Sequence, residues 1–255
     1  ALPTIIVCLI WMMISWAFGD SMLLSFAGAK EIHNDEAEYK PVFRSVENIS
    51  LAAGLPAPRV YVIEDDSLNA FATGRGPNDA SVALTRGIIN KLDKAELEGV
   101  IAHEMAHIGN RDIRLDMLLI TGIGVTVFAA DVILRTALHS GENRDEKNNS
   151  AAILFMVWLA FMVFNWIITP ILRMAISRKR EFAADATGAF ITRNPKALAN
   201  ALRKISADSR VEVLDKKTSM AAMCIADPLA PKAFAGDLLA THPKVQDRIA
   251  RLENM

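Results

Sequence analysis

His103-Glu104-Met105-Ala106-His107 sets the chemistry and the architecture expected of this chain. It has the form H-E-x-x-H. On a helix, positions i and i+4 share a face about 6 Å apart along the axis, so the two imidazoles can converge on one zinc ion. Glu104 lies at an angle that keeps it out of the coordination shell but within reach of a water held there. Two neutral histidines, a nearby carboxylate and an open metal position are the requirements of metal-assisted hydrolysis.

The flanking residues place the motif on a helix. Asp93 reads as an N-cap, with Glu96 at the third helical position. Leu97, Val100, Ile101 and Met105 then follow at helical spacing. A third ligand has to come from elsewhere. The short metalloprotease extension needs Gly at position 110 and His at 113, which here hold Asn110 and Ile113. The other histidines are His33, His139 and His242. A carboxylate from Arg180-Glu181-Phe182-Ala183-Ala184-Asp185 fits better. Glu181 and Asp185 form a second i, i+4 pair. One can ligate while the other accepts the spare N–H of a ligand histidine and fixes its tautomer.

Composition points to a membrane. Apolar residues make up 52% of the chain and gather in three blocks, Pro3 to Ala27, Leu118 to Leu138 and Ala151 to Leu172. Each is long enough to cross a bilayer core as a helix. Lys30, Lys40 and Arg44 follow the first, Arg111 and Arg114 precede the second, and Arg173, Arg178, Lys179 and Arg180 follow the third. The short loop His139 to Ser150 carries only Arg144 and Lys147, beside three acids. The motif-bearing segments are therefore expected on the cytoplasmic side. Asp20 and Asp131 interrupt apolar blocks; Asp20 reads as an inner boundary, and Asp131 as a partner for Arg135. Net charge is −1, with no basic stripe carrying interleaved aromatics, which argues against nucleic acid. Cys8 and Cys224 lie in a span and a soluble segment, so no disulfide framework is expected.

The remaining sequence reads as one catalytic domain in two pieces. The division is a transmembrane helix over 1–28, the first catalytic part over 29–115, a transmembrane hairpin over 116–172 and the second catalytic part over 173–255. Pro41 to Ala53 is predicted helical, closed by Gly54 and Pro56. Val60 to Ile63, Asn69 to Thr73 and Ser81 to Leu84 are predicted strands, giving a small three-stranded sheet. Ile171 to Phe190, the segment after Pro195 and a short amphipathic stretch from Pro243 to Leu252 are predicted helices, whereas Asp208 to Ala240 has no regular pattern. The fold class is thus α+β: a helical integral membrane protein with a mostly helical, zincin-like catalytic domain interrupted by the hairpin. Ten residues separate His107 from Met117, and nine separate Leu172 from Glu181. As helix these are roughly 15 and 14 Å, which sets the zinc just outside the bilayer.

In order along the chain, His103-Glu104-Met105-Ala106-His107, Glu181-Phe182-Ala183-Ala184-Asp185, and His242-Pro243 with Arg248 resemble the HtpX membrane metalloproteases, relatives of the CAAX prenyl proteases and the mitochondrial OMA-type proteases. Leu68 to Gly74 is similar to that family's substrate-edge strand, and Met220 to Ile225 to a segment of the HtpX branch. The resemblance covers nearly the whole chain. It implies one zinc per chain on His103, His107 and Glu181, with Glu104 as general base and Asp185 behind a ligand histidine. It implies that His242 and Arg248 donate to the developing oxyanion or hold substrate backbone, and that Asn69 aligns an extended substrate. It further implies an endopeptidase of the bacterial inner membrane that degrades damaged or misfolded membrane proteins under stress, its catalytic part cytoplasmic. The family pattern has a further span before the first block, so the chain is expected to lack its start. Two other readings are a prenyl-protein peptidase, which needs a chamber built from more spans, and an inactive scaffold, which the intact motif opposes.

Overall fold

The computed structural model describes residues 2–118, 155–156, 158–160, 162–163, 179–207 and 243–255. The chain divides into two compact units, one of 1–19 with 118–172 and one of 20–117 with 173–255. A helix, α1 (Leu2–Phe26), carries the first apolar block. The described residues among 155–163 are also helical. Counted over the described residues alone, no helix is long and apolar enough to cross a membrane. The second block after Leu118, most of the third, Asp131, and the 208–242 stretch with Cys224 and His242 lie outside the described residues.

The second unit is a helical layer on a small mixed sheet. Its strands are β1 (Ala29–Glu31), β2 (Arg59–Ile63), β3 (Ala70–Thr73) and β4 (Ser81–Thr85), in the order β1-β2-β4-β3. The inner pair, β2 and β4, runs parallel, and each edge strand pairs antiparallel with its neighbour. The three-stranded expectation is therefore corrected to four. β1 is only three residues, Ala-Lys-Glu, two of them exposed, so it has no apolar alternation to betray it. It is a strand because the backbone of β2 has an open side there. All five residues of β4 are buried, as the middle of a covered sheet requires.

The helices begin and end where local chemistry dictates. In α2 (Lys40–Ala53), Pro41 occupies the first turn, where its missing N–H costs nothing. Gly54 closes it in the left-handed conformation at φ 67°, and the N–H groups of Gly54 and Leu55 return to Leu51 and Ser50. Thr85 ends β4 and caps α3 (Arg86–Lys91) by accepting from the Ile88 N–H. Asp93 and Glu96 form a reciprocal capping box at the start of α4 (Lys94–Gly109). Glu96 also accepts a 2.6 Å bond from Lys204.

α4 is the central rod. It packs on α2, on β3 and on a helix at Pro195–Ala207. Gly99 permits that last approach, since a Cβ there would lie 3.1 Å from the Leu198 backbone. Helical residues 112–118 and 179–192 and a final helix over Val245–Glu253 complete the unit; in chain order we call these α5, α6, α7 (Pro195–Ala207) and α8. The core runs from Val42, Val46 and Ile49 through Val60, Val82 and Leu84 to Val100, Ile101, Met105, Leu198, Leu202 and Leu252. Asp20, near the end of α1, is buried and meets Arg59 of β2 at 3.2 Å.

Candidate metal centre

The two motif histidines lie on the buried face of α4, one turn apart, with His103 fully enclosed and His107 half-buried. Their Nε2 atoms stand 3.2 Å apart. Glu181 of α6 brings one carboxylate oxygen 3.5 Å from Nε2 of His103 and the other 3.5 Å from Nε2 of His107. Among the described residues these three form a group able to hold a metal. A tetrahedral ion about 2.0–2.1 Å from each donor needs donor–donor edges of about 3.3 Å. The edge between the two Nε2 atoms is 3.2 Å, and each Nε2 has one Glu181 oxygen at 3.5 Å, Oε2 for His103 and Oε1 for His107, which fits an ion of that size.

Each histidine presents its other ring nitrogen to an acid. Nδ1 of His103 is 3.0 Å from Oδ1 of Asp185, one turn beyond Glu181. Nδ1 of His107 is 2.9 Å from Oδ2 of Asp112. A donor bond from Nδ1 leaves Nε2 with its lone pair, the tautomer a metal needs. Asp185 is itself gripped by Arg248 of α8, whose Nε and Nη2 donate at 2.8 and 2.7 Å. Nη1 of the same guanidinium is 3.0 Å from Glu181. Arg248 is completely buried, so these acids stand where water otherwise would.

Glu104 is buried beside this cluster. Burial raises its pKa above the ordinary carboxylate range, and Glu181 adds to this, while His103, His107 and a hydrogen bond from the Ala72 N–H oppose it. For His103, burial favours the neutral ring, but hydrogen bonds to Asp185 and Glu181 prevail and lift it to about 9 in the absence of a metal. Asp185 is pushed up by burial and more strongly down by Arg248 and His103, to about 2.

Asn69 precedes β3, an edge of the sheet, and is buried. Its N–H donates to Thr85 Oγ1 at 3.0 Å, and its own Oδ1 accepts the Ala70 N–H at 2.8 Å. The Thr85 N–H bonds the Asn69 carbonyl, so 69 and 85 form a hydrogen-bonded pair. By alternation, the backbone groups of Ala70 and Ala72 turn to the open side of β3. The Ala72 N–H reaches Glu104 there.

The structure thus gathers His103, His107, Glu181, Glu104, Asp185 and Arg248, with Asn69 on the neighbouring strand; His242 lies outside the described residues. Arg248 contacts the carboxylates of Asp185 and Glu181. Sequence reading passed over two further residues. Asp112 is five positions after His107, off the helical repeat. It reaches back only because α4 stops at Gly109 and Arg111 adopts φ 61°. Gly188 is the other. A Cβ there would lie 3.1 Å from the His103 backbone nitrogen, so the missing side chain lets α6 approach α4. Its spacing after Glu181 and Asp185, i+7 and i+3, was the available signal.

A family model described as Peptidase family M48 matches residues 36–255. Proteins named Protease HtpX homolog are similar over almost the whole chain. The one from Bacteroides fragilis is 39% identical over 251 residues, 96% of this chain and 77% of that protein. The one from Thermoanaerobacter pseudethanolicus is 41% identical, over 95% and 80%. The one from Tropheryma whipplei is 40% identical, over 95% and 81%. A crystal structure of S. mikatae Ste24p aligns with a TM-score of 0.58 at 15% identity, covering 99% of this chain and 58% of that one. That likeness speaks to the fold.

Proposed function

The chain belongs to peptidase family M48 as an HtpX-type metalloprotease, and from that premise we propose a zinc-dependent endopeptidase acting on damaged or misfolded membrane proteins at the cytoplasmic face of the bacterial inner membrane. The observation that carries the chemistry is the donor triangle of His103, His107 and Glu181, with Glu104 buried alongside. Two imidazoles and a carboxylate, each imidazole backed by an acid, suit zinc among the common ions. When bound, zinc supplies Lewis acidity that activates water and polarises a scissile carbonyl.

The protein's own residues do the rest. Glu104 takes the proton of the attacking water and delivers it to the leaving amine. Asp185 and Asp112 hold the imidazoles in register. Arg248 acts as a positioning residue that fixes Asp185 and Glu181, and His242 is left as the candidate donor to the oxyanion. An extended substrate adds to the open side of β3, where Ala70 and Ala72 face outward. Asn69 already occupies the Ala70 N–H, so the Ala70 and Ala72 carbonyls are the natural partners for substrate N–H groups.

The membrane assignment rests on the three apolar blocks and the Lys/Arg distribution. The test is elemental analysis of the purified protein with hydrolysis of an unfolded membrane-protein substrate in liposomes. One zinc per chain is expected, with activity lost to a chelator, restored by zinc and abolished in Glu181→Ala. A farnesylated peptide cut while the membrane substrate stays whole would replace this reading with a prenyl-protein peptidase.

A further inference from the structure

We propose that Asp112 is the positioning residue for His107 and that Arg180 holds it in place, so that the metal site is braced from the segments that flank the predicted hairpin. The inference rests on the metal-site reading above and not on any choice of substrate.

Four observations converge. Asp112 is buried and its Oδ2 sits 2.9 Å from Nδ1 of His107, opposite the nitrogen that faces Glu181. Arg180 reaches the same residue twice, with Nη1 3.4 Å from its carbonyl oxygen and 3.7 Å from Oδ1. The other arm of Arg180 donates to Asp116 at 2.9 Å, one turn along α5. The left-handed Arg111 is what turns Asp112 back under His107 rather than out along the axis of α4.

The arrangement parallels that at His103. There Asp185 binds Nδ1 and Arg248 grips Asp185. Here Asp112 binds Nδ1 and Arg180 touches Asp112. Each ligand histidine is thus backed by an acid and each acid by a guanidinium. His107 is the less buried of the two histidines, so its ring has more room to turn and depends more on that acid. The brace also has reach along the chain. Arg180 follows the third apolar block, and Asp112 and Asp116 precede the second. One contact therefore joins the two chain segments that enter and leave the predicted membrane hairpin.

The test is zinc affinity by competition with a fluorescent chelator, in the full chain in detergent, with the absorption spectrum of the cobalt-loaded protein as a second readout. Asp112→Ala is expected to weaken zinc binding about 10- to 100-fold, the usual cost of losing such a partner, and to change the cobalt spectrum. Asp112→Asn, which keeps an acceptor without charge, should fall between Ala and wild type. Arg180→Gln should show a smaller loss in the same direction. Asp116→Asn is the control, because Asp116 shares Arg180 but does not touch His107. Helical content and thermal unfolding of the metal-free variants are recorded alongside. Wild-type affinity and spectrum in Asp112→Ala would overturn the proposal, as would an equal loss in Asp116→Asn, which would make the cluster a scaffold. Failure of the wild type itself to bind zinc would instead defeat the functional reading.

Discussion

At the scale of single residues, the proposed function assigns metal holding and proton transfer to different groups. Glu104 is adjacent to His103 in sequence but absent from the donor triangle. Glu104→Gln should therefore retain zinc while peptide hydrolysis falls by several orders of magnitude; turnover near wild type, with zinc bound, would mean another base. Asp185 carries more than the sequence implied. Its spacing from Glu181 predicts a partner for a histidine, but not that it also neutralises a wholly buried guanidinium. Asp185→Ala should thus cost about 10- to 100-fold in metal affinity and, separately, about 3–5 kcal/mol of stability, because Arg248 loses its bidentate partner. Chelator titration and denaturant unfolding measure the two losses. A variant that loses metal affinity with unchanged unfolding would show that Glu181 alone suffices for Arg248. The motif histidines and Glu181 were legible in sequence because helical periodicity alone brings each pair to one face. Asp112 and the inward turn of Arg248 were not, because each depends on a chain direction set after a helix ends: a left-handed residue in one case, the docking of α8 in the other.

At the scale of elements, the centre is the contact of two helices, and what sets their distance is the absence of side chains. Gly188 faces the backbone of Ala102 and His103, with a would-be Cβ at 3.1–3.3 Å from atoms that cannot rotate away. Replacing it by Val must push α6 off α4. The helix gains some propensity, since Gly is up to about 1 kcal/mol worse than Ala in a helix interior. Overpacking costs about 1–3 kcal/mol and wins. Gly188→Val should lower the unfolding midpoint and, by drawing Glu181 away from the histidines, reduce zinc retention more than it reduces stability. A variant with native zinc affinity would show that α6 slides without loss to the site. The capping box at Asp93 and Glu96 and the Gly54 stop were readable, since they follow from local hydrogen-bond needs at helix ends. β1 was not, because three mostly exposed residues acquire strand geometry only from the neighbour they pair with.

At the scale of the whole molecule, the proposed function turns on which peptide bonds can reach the metal site. The edge strand β3 offers outward backbone groups beside Glu104, and only an extended chain can pair with them. A membrane-buried helix has its backbone groups already engaged and cannot. By sequence, the residues on either side of the predicted hairpin carry the catalytic groups, and basic residues cluster there, with Arg173, Arg178, Lys179 and Arg180 after the third block. On the cytoplasmic assignment, a polypeptide reaches the site when a loop or frayed tail of a membrane protein lies unfolded near the bilayer surface. On the proposed backbone recognition, side-chain preference should be modest. Cleavage sites in a multi-span substrate, mapped by mass spectrometry after reconstitution, should cluster in cytoplasmic loops and tails close to the membrane, and a substrate stabilised against unfolding should be spared. Cuts concentrated in periplasmic loops would reverse the orientation inferred from the basic residues. Cuts at mid-span positions would require that the metal lie within the bilayer, or that the substrate helix be unwound before it meets β3.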